Sequence, residues 1–278
     1  MKTPKFLLAA LMLFAVVATS CQKDEDVKDP KDVNRAAVDN AKAENAFADL
    51  FKQSGDGLMQ ANQTVTGNHA MYSSLAGNVT LTITPYDLTT FPKTITLDYG
   101  STNVLCNDGN YRRGKIVVVA TGWYYDSLSV TTVTPDGYYL NDNLVEGVIS
   151  YTCKGHNAAG HMNHDVYIDG TVTGIDGSMI SYHSERNYEW IEGEPTTLNP
   201  WDDVYLIHGT AYGTNIYGED YTMTVTTPLR LQAGCRWITE GILVIESNGN
   251  QMTVDYGDGN CDGTVVITLN GNNYLINV

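Results

Sequence analysis

The chain reads as an all-β protein: a long antiparallel meander that closes as a curved barrel or a sandwich, preceded by one N-terminal helix. Three observations predict this. Strand formers dominate, with 18 tyrosines among many threonines and valines. The turns are supplied by 26 glycines and abundant Asn and Asp. From residue 79 onward, short β-rich runs follow one another between turn signals, and no helical period interrupts them.

Taken in order, residues 1–20 have the three parts of a signal peptide. Lys2 and Lys5 make a positive start, an apolar run covers 6–18, and the small residues Ala18, Thr19 and Ser20 stand at the exit. The run falls short of the roughly 20 apolar residues a bilayer-spanning helix needs. Cys21 follows directly, and this arrangement resembles the lipobox of bacterial lipoproteins. The resemblance implies cleavage before Cys21, acylation of that cysteine and the lipid bilayer as a partner. Each buried CH₂ is worth about 0.8 kcal/mol, so several acyl chains on one residue hold a domain firmly at a membrane. Gln22-Lys23-Asp24-Glu25-Asp26 is similar to the acidic signal that sends Bacteroidota-type lipoproteins to the exterior face of the outer membrane. Residues 21–33 are then a lipidated cysteine and a tether too polar to bury a core.

Residues 34–58 hold the helix, over roughly 35–53, expected to pack on the sheet. Ala43, Ala46, Phe47, Leu50 and Phe51 form an apolar stripe, with Asp39, Lys42, Asn45, Asp49 and Lys52 opposite, and Gly55-Asp56-Gly57 as its end. The β domain occupies 60–278. Strands are expected near 79–84, 94–99, 114–123, 127–134, 145–153, 161–168, 171–174, 179–190, 204–212, 221–226, 237–245, 251–256, 264–269 and 274–278. A sheet of that many strands must curl into a barrel or split into a sandwich. The loop at 192–203 could divide it into sub-domains.

A degenerate repeat runs through the β domain. Thr96-Leu97-Asp98-Tyr99-Gly100, then Cys106-Asn107-Asp108-Gly109 and a strand, is echoed by Thr253-Val254-Asp255-Tyr256-Gly257, then Cys261-Asp262-Gly263 and a strand. Together with the lipobox, this arrangement resembles a group of Bacteroidota-type surface lipoproteins with no assigned activity, which implies a location and a fold tendency but no mechanism.

The formal charge is −16, and the leader carries two of the lysines and none of the acids. Such a surface repels phosphate backbones and anionic headgroups, which argues against nucleic acid as a partner. Four cysteines remain beyond Cys21. If Ser247-Asn248-Gly249-Asn250 is a hairpin turn, Cys235 and the 257–263 turn reach one end of the sheet, so a Cys235–Cys261 disulfide is expected in an oxidising compartment. Cys106 and Cys153 fall at opposite ends of a three-strand meander and should be free and partly buried. If 157–160 is a turn, His156 faces His161 while His164 points to the other face opposite Cys153, which leaves at most a two-ligand metal site.

No cofactor is implied, with one qualification. Asp258, Asn260 and Asp262 match the opening of a calcium loop, but the position of its bidentate glutamate holds Leu269. No serine-nucleophile elbow, zinc motif, phosphate loop or dinucleotide fingerprint occurs. Tyr182, Arg186, Tyr188 and Trp190, with Ile180, alternate onto one strand face, either as a sugar-stacking platform or as core with an arginine at its rim. Asp126-Ser127-Leu128 resembles the O-glycosylation acceptor of Bacteroidota-type exported proteins, which marks Ser127. The function expected is a non-enzymatic, surface-exposed lipoprotein that binds or supports a glycan or protein. The alternative is a glycan hydrolase using a carboxylate pair among Glu185, Glu189, Glu192, Glu194, Asp202 and Asp203.

Overall fold

The computed structural model describes residues 34–67, 79–196 and 199–277. Cys21, the leader and the acidic tether lie outside the described residues. One helix, α1 (Arg35–Val65), is followed by β1 (Thr80–Thr84), β2 (Lys93–Asp98), β3 (Val104–Leu105), β4 (Tyr111–Ala120), β5 (Val130–Leu140), β6 (Asn143–His156) and β7 (Met162–Thr173). The chain continues through β8 (Met179–Glu192), β9 (Val204–Thr214), β10 (Asp220–Gln232), β11 (Ile238–Ser247), β12 (Asn250–Asp258), β13 (Thr264–Leu269) and β14 (Asn272–Asn277).

All the strands belong to one antiparallel sheet in near-sequential order, with the short β3 paired only to β4. The sheet does not close, since β1 and β14 are its two ends. It rolls around α1, which touches β1, β2, β4, β5, β6, β7, β8 and β11. Irregular register between β5 and β6, beside Pro135, and between β9 and β10, beside Pro228, supplies bend and twist where proline would otherwise break a ladder. The stretch at 192–203 does not divide the sheet, because β8 and β9 pair from Ser181↔Thr214 to Glu192↔Val204.

The helix departs from expectation in two ways. It runs through Gly55 and Gly57 to Val65 instead of ending at them. Those glycines mark close approach: a Cβ at Gly55 would lie 3.0 Å from the Tyr124 ring, and one at Gly57 3.0 Å from Leu97. The expected polar face is also wrong. Asp39, Asp49 and Lys52 are buried, as are Glu44 and Asp56, and Lys42 and Asn45 are half-buried. An amphipathic pattern assumes water on the polar side, whereas here the sheet covers that side and supplies partners for the charges.

The strand at 161–168 and the one at 171–174 prove to be a single element, β7, which passes straight through Gly170. A Cβ at Gly170 would meet the Glu146 carbonyl oxygen at 2.4 Å and the Phe47 ring at 2.6 Å, so this glycine lets the helix lie on the sheet. The repeat also has a structural meaning. Tyr99 and Tyr256 are both buried, and Asp98 Oδ1 and Asp255 Oδ1 each accept a hydrogen bond, of 2.9 Å, from the backbone N–H of the glycine two residues on. In each copy an Asp side chain thus satisfies the backbone N–H of the following glycine; β2 ends at this point, whereas β12 runs on to Asp258.

Because neither backbone nor a packed ring can yield cheaply, Gly170→Ala is expected to lower the unfolding free energy by about 1–3 kcal/mol. Urea denaturation followed by tryptophan fluorescence measures this.

Candidate functional site

The aromatic row on β8 belongs to the interior. Tyr182, Arg186, Tyr188 and Trp190 are 3% exposed or less, so of the two readings of this face the ligand-binding platform is corrected and the core reading stands: they form the shell around α1. Tyr182 stacks on Phe47 at 5.4 Å, Tyr188 lies 4.4 Å from Phe51, and Trp190 stacks on Tyr205 at 5.5 Å. The arginine is not at a rim. Arg186 Nη2 donates to Glu44 Oε2 at 2.5 Å, and the Tyr182 hydroxyl donates to the same oxygen at 2.6 Å. Burial alone would lower the Arg186 pKa; the Glu44 charge outweighs it and holds the guanidinium above its usual value.

A second interior cluster surrounds Arg112. It donates to Asp108 at 2.6 and 2.8 Å and pairs with Asp49, which also accepts from the Tyr138 hydroxyl at 2.8 Å. Lys52 Nζ reaches Asp108 at 3.3 Å and the Ala233 carbonyl at 3.0 Å. Burial pushes the Asp108 carboxyl upward, but Arg112 and Lys52 prevail and hold it well below the carboxylate range. Both clusters are ion networks between helix and sheet, although Arg186 Nε and Nη1 and the Tyr188 hydroxyl are buried without a hydrogen-bond partner among the described residues.

Strand alternation sends the intervening residues outward, and there the sheet presents a surface not anticipated from sequence. Asp169, His183 and Tyr212 are register partners across β7, β8 and β9, with Tyr167, Glu185 and Thr210 in the next row. Tyr167 and Tyr212 are 53% and 58% exposed. The His183 ring stacks on Tyr212 at 4.9 Å and 13°, while its Nδ1 lies 3.0 Å from Asp169 Oδ1. Further along, Asn187 donates to Asp165 at 2.9 Å, and Glu189 holds His161 Nδ1 at 2.8 Å with His208 Nε2 at 3.7 Å. The hydrogen bond to His161 keeps the Glu189 pKa below the usual range despite partial desolvation. The signal was available: with Tyr182, Arg186 and Tyr188 inward, the odd-numbered residues between them must face out.

The six acids considered for hydrolysis do not converge on one cleft. Glu185 and Glu189 face outward on the sheet, Glu192 pairs with Arg230, Glu194 with His156, and Asp202 accepts from Thr196. Asp203 is 3% exposed. Burial, reinforced by the Asp56 and Asp202 charges, pushes its pKa up to about 8.

His164 is buried opposite Cys153 as expected and His156 and His161 lie outside, but a register shift between Cys153 and Gly155 sets His156 opposite Met162 and not His161. Burial lowers His164 to about 4 and raises the Cys153 thiol, so both rest neutral, the reverse of an activated nucleophile and base. Cys106 is likewise buried and free. Cys235 and Cys261 form a disulfide with Cα atoms 5.8 Å apart. At the calcium-like turn, Asp258 accepts from Asn260 at 2.7 Å and Asp262 from the Thr264 N–H at 2.9 Å, so these groups serve the turn itself. Among the described residues no three His, Cys, Asp or Glu are arranged to hold a metal. Ser127 sits exposed beside Leu128, which has a φ of 68°. No described helix is long and apolar enough to cross a membrane.

No protein-family profile, curated protein or solved structure matches this chain.

The Asp203 geometry has a consequence in pH. Its carboxyl, with an ordinary value of 3.8, stays protonated in the folded state up to about pH 8. Between those limits the folded chain holds a proton that the unfolded chain releases, so this group costs stability as pH rises. Asp203→Asn should therefore match the wild type near pH 4 and exceed it at pH 8.5 by more than about 1.4 kcal/mol, the worth of one pKa unit. Paired urea titrations across that range measure the difference, and the opposing contribution of His164 cancels in the comparison.

Proposed function

We propose that the chain is a lipid-anchored, exterior-facing binding module without catalysis, and that it recognises a glycan through the outer face of β7, β8 and β9. One observation carries the reading. The inner face of the rolled sheet is occupied by α1, so the planar, polar surface available for recognition is the outer one, where Tyr167 and Tyr212 stand exposed, with the half-buried His183 stacked on Tyr212, among carboxylates and amides. Aromatic faces supply apolar area at low entropy cost, and flanking side chains with fixed partners can accept hydroxyl hydrogen bonds without reorganising. Tyr167 and Tyr212 are two strands and one pleat apart, roughly 12 Å from the ordinary strand spacing and rise, which suits alternate rather than adjacent rings of a glycan chain. The engagement of Glu189, Glu192, Glu194 and Asp202 in other contacts, and the neutrality of Asp203, weigh against the hydrolase alternative.

The anchor half of the proposal rests on the resemblance at Cys21. Cys21→Ser should release the intact folded domain into the soluble fraction, and retention at the membrane would contradict it. For the binding half, a glycan array should show capture without turnover. Tyr167→Ala and Tyr212→Ala should each weaken capture by about 1–3 kcal/mol while leaving the circular dichroism spectrum unchanged, since both side chains are exposed. Capture unaffected by both substitutions would place recognition elsewhere.

A further inference from the structure

A cavity of ≈300 Å³ lies at one end of the rolled sheet, away from the outer face of β7 to β9. It is walled by the first half of α1, the β5–β6 hairpin, the loop between β10 and β11, and the last residues of β14. This is the small end of the range that ligand pockets occupy, roughly 300–1,000 Å³. Its lining is unusual for so acidic a chain. Two of the 16 basic side chains, Lys42 and Arg236, face this one cavity.

Neither cation is ion-paired or hydrogen-bonded among the described residues. Arg236 instead lies over the Trp237 ring at 4.4 Å. Lys42 is half-buried on α1, and burial holds its pKa below the ordinary value, with Asp39 and Asp176 acting on it only at longer range. Elsewhere the buried cations are matched: Arg112, Arg186 and Lys52 each have a carboxylate at hand. A half-desolvated cation with no carboxylate in contact is costly, and Lys42 is one; the exposed Arg236 beside the same cavity adds a second charge with no carboxylate in contact among the described residues.

Neutral hydrogen-bonding groups converge on the same space. Asn45 uses its Oδ1 to accept from the Ile238 N–H at 3.3 Å, which leaves its amide NH₂ to donate. Asn143 spends its NH₂ on the Leu140 and Asn141 carbonyls, which leaves its Oδ1 to accept. Val38 and Val172 supply the apolar wall, and the Trp237 ring, with Arg236 lying over it, closes the side. That ring is held in place from behind. The 258–263 turn approaches so closely that a Cβ at Gly263 would sit 2.6 Å from the ring, and the Cys235–Cys261 disulfide ties this turn to the residue preceding Arg236.

We infer that this cavity is a binding site for a single carboxylate-bearing sugar ring, with Lys42 and Arg236 holding the carboxylate, Val38 and Val172 against the ring, and Asn45 and Asn143 reading its hydroxyls. A carboxylate answers the two unpaired cations, a small apolar wall suits the C–H face of a pyranose, and a free donor opposite a free acceptor suits vicinal hydroxyls. The site stands independently of the outer-face proposal, because it shares no residue with it.

Isothermal titration of the full chain in nonionic detergent tests this, with D-glucuronate as the probe and D-glucose and acetate as the two half-ligands. Glucuronate should bind saturably and at least tenfold tighter than either half-ligand, and more weakly as salt rises. Lys42→Gln and Arg236→Gln should each weaken it about tenfold or more, while Tyr167→Ala and Tyr212→Ala leave it unchanged. Because Arg236 is exposed, its substitution keeps the test valid if Lys42→Gln perturbs folding. Absence of saturable glucuronate binding would overturn the site. So would equal binding of glucose, which dispenses with the cations, or of acetate, which dispenses with the ring. Wild-type affinity in the Lys42→Gln, Arg236→Gln double variant would also overturn it.

Discussion

Charged side chains of α1 are buried inside a rolled sheet, and the rest of the molecule is arranged around that fact. Glu44 meets Arg186 and Tyr182 on β8; Asp49 meets Arg112 and Tyr138 on β4 and β5; Lys52 meets Asp108 in the β3–β4 turn. Removing one member of a buried pair typically costs about 3–5 kcal/mol, because the other charge is left in a medium of low dielectric. Contacts of this kind cannot slip by one residue along the sheet. They therefore fix the rotation and axial position of α1, and the apolar contacts follow. Phe47 then falls on Tyr182 over Gly170, and Phe51 falls among Tyr151, Tyr188 and Tyr205.

Much of the β architecture could be read from the chain, because period-two alternation and Gly/Asn turns are local signals. The runs at 94–99, 179–190 and 264–269 fall on β2, β8 and β13, and the 248–249 turn joins β11 to β12 as the hairpin argument required. Errors arose where local signals were overridden at long range. Gly55, Gly57 and Gly170 look like breaks, yet they are points where ring or backbone comes too close for a Cβ. Asp39, Asp49 and Lys52 look like a solvated face, and nothing nearby in sequence announces partners such as Arg112, 63 residues from Asp49.

The candidate sites were less legible for the same reason. Alternation on β8 was recognised, but which face points inward depends on the helix, and Arg186 was the clue: an arginine between tyrosines on one face marks either a platform or a buried pair. Glu44, its partner, is 142 residues away. The outer surface bearing Tyr167, His183 and Tyr212 follows once the inner face is known. The end cavity draws on α1, the β5–β6 hairpin, the β10–β11 loop and β14 at once, an assembly that no segment of sequence encodes alone.

A chain that fills its own interior in this way leaves its outside and its ends for the recognition proposed above, and those surfaces inherit their rigidity from the locked helix. If the buried ion networks hold α1 as described, the helix cannot open without the sheet. Native-state hydrogen exchange across α1 measures this directly. The account predicts that amides from Glu44 to Leu58 exchange only through global unfolding, with the same free energy and denaturant dependence as the central strands β6 to β8. Exchange of those helix amides through a separate, lower-energy opening, while the strands stay protected, would contradict it.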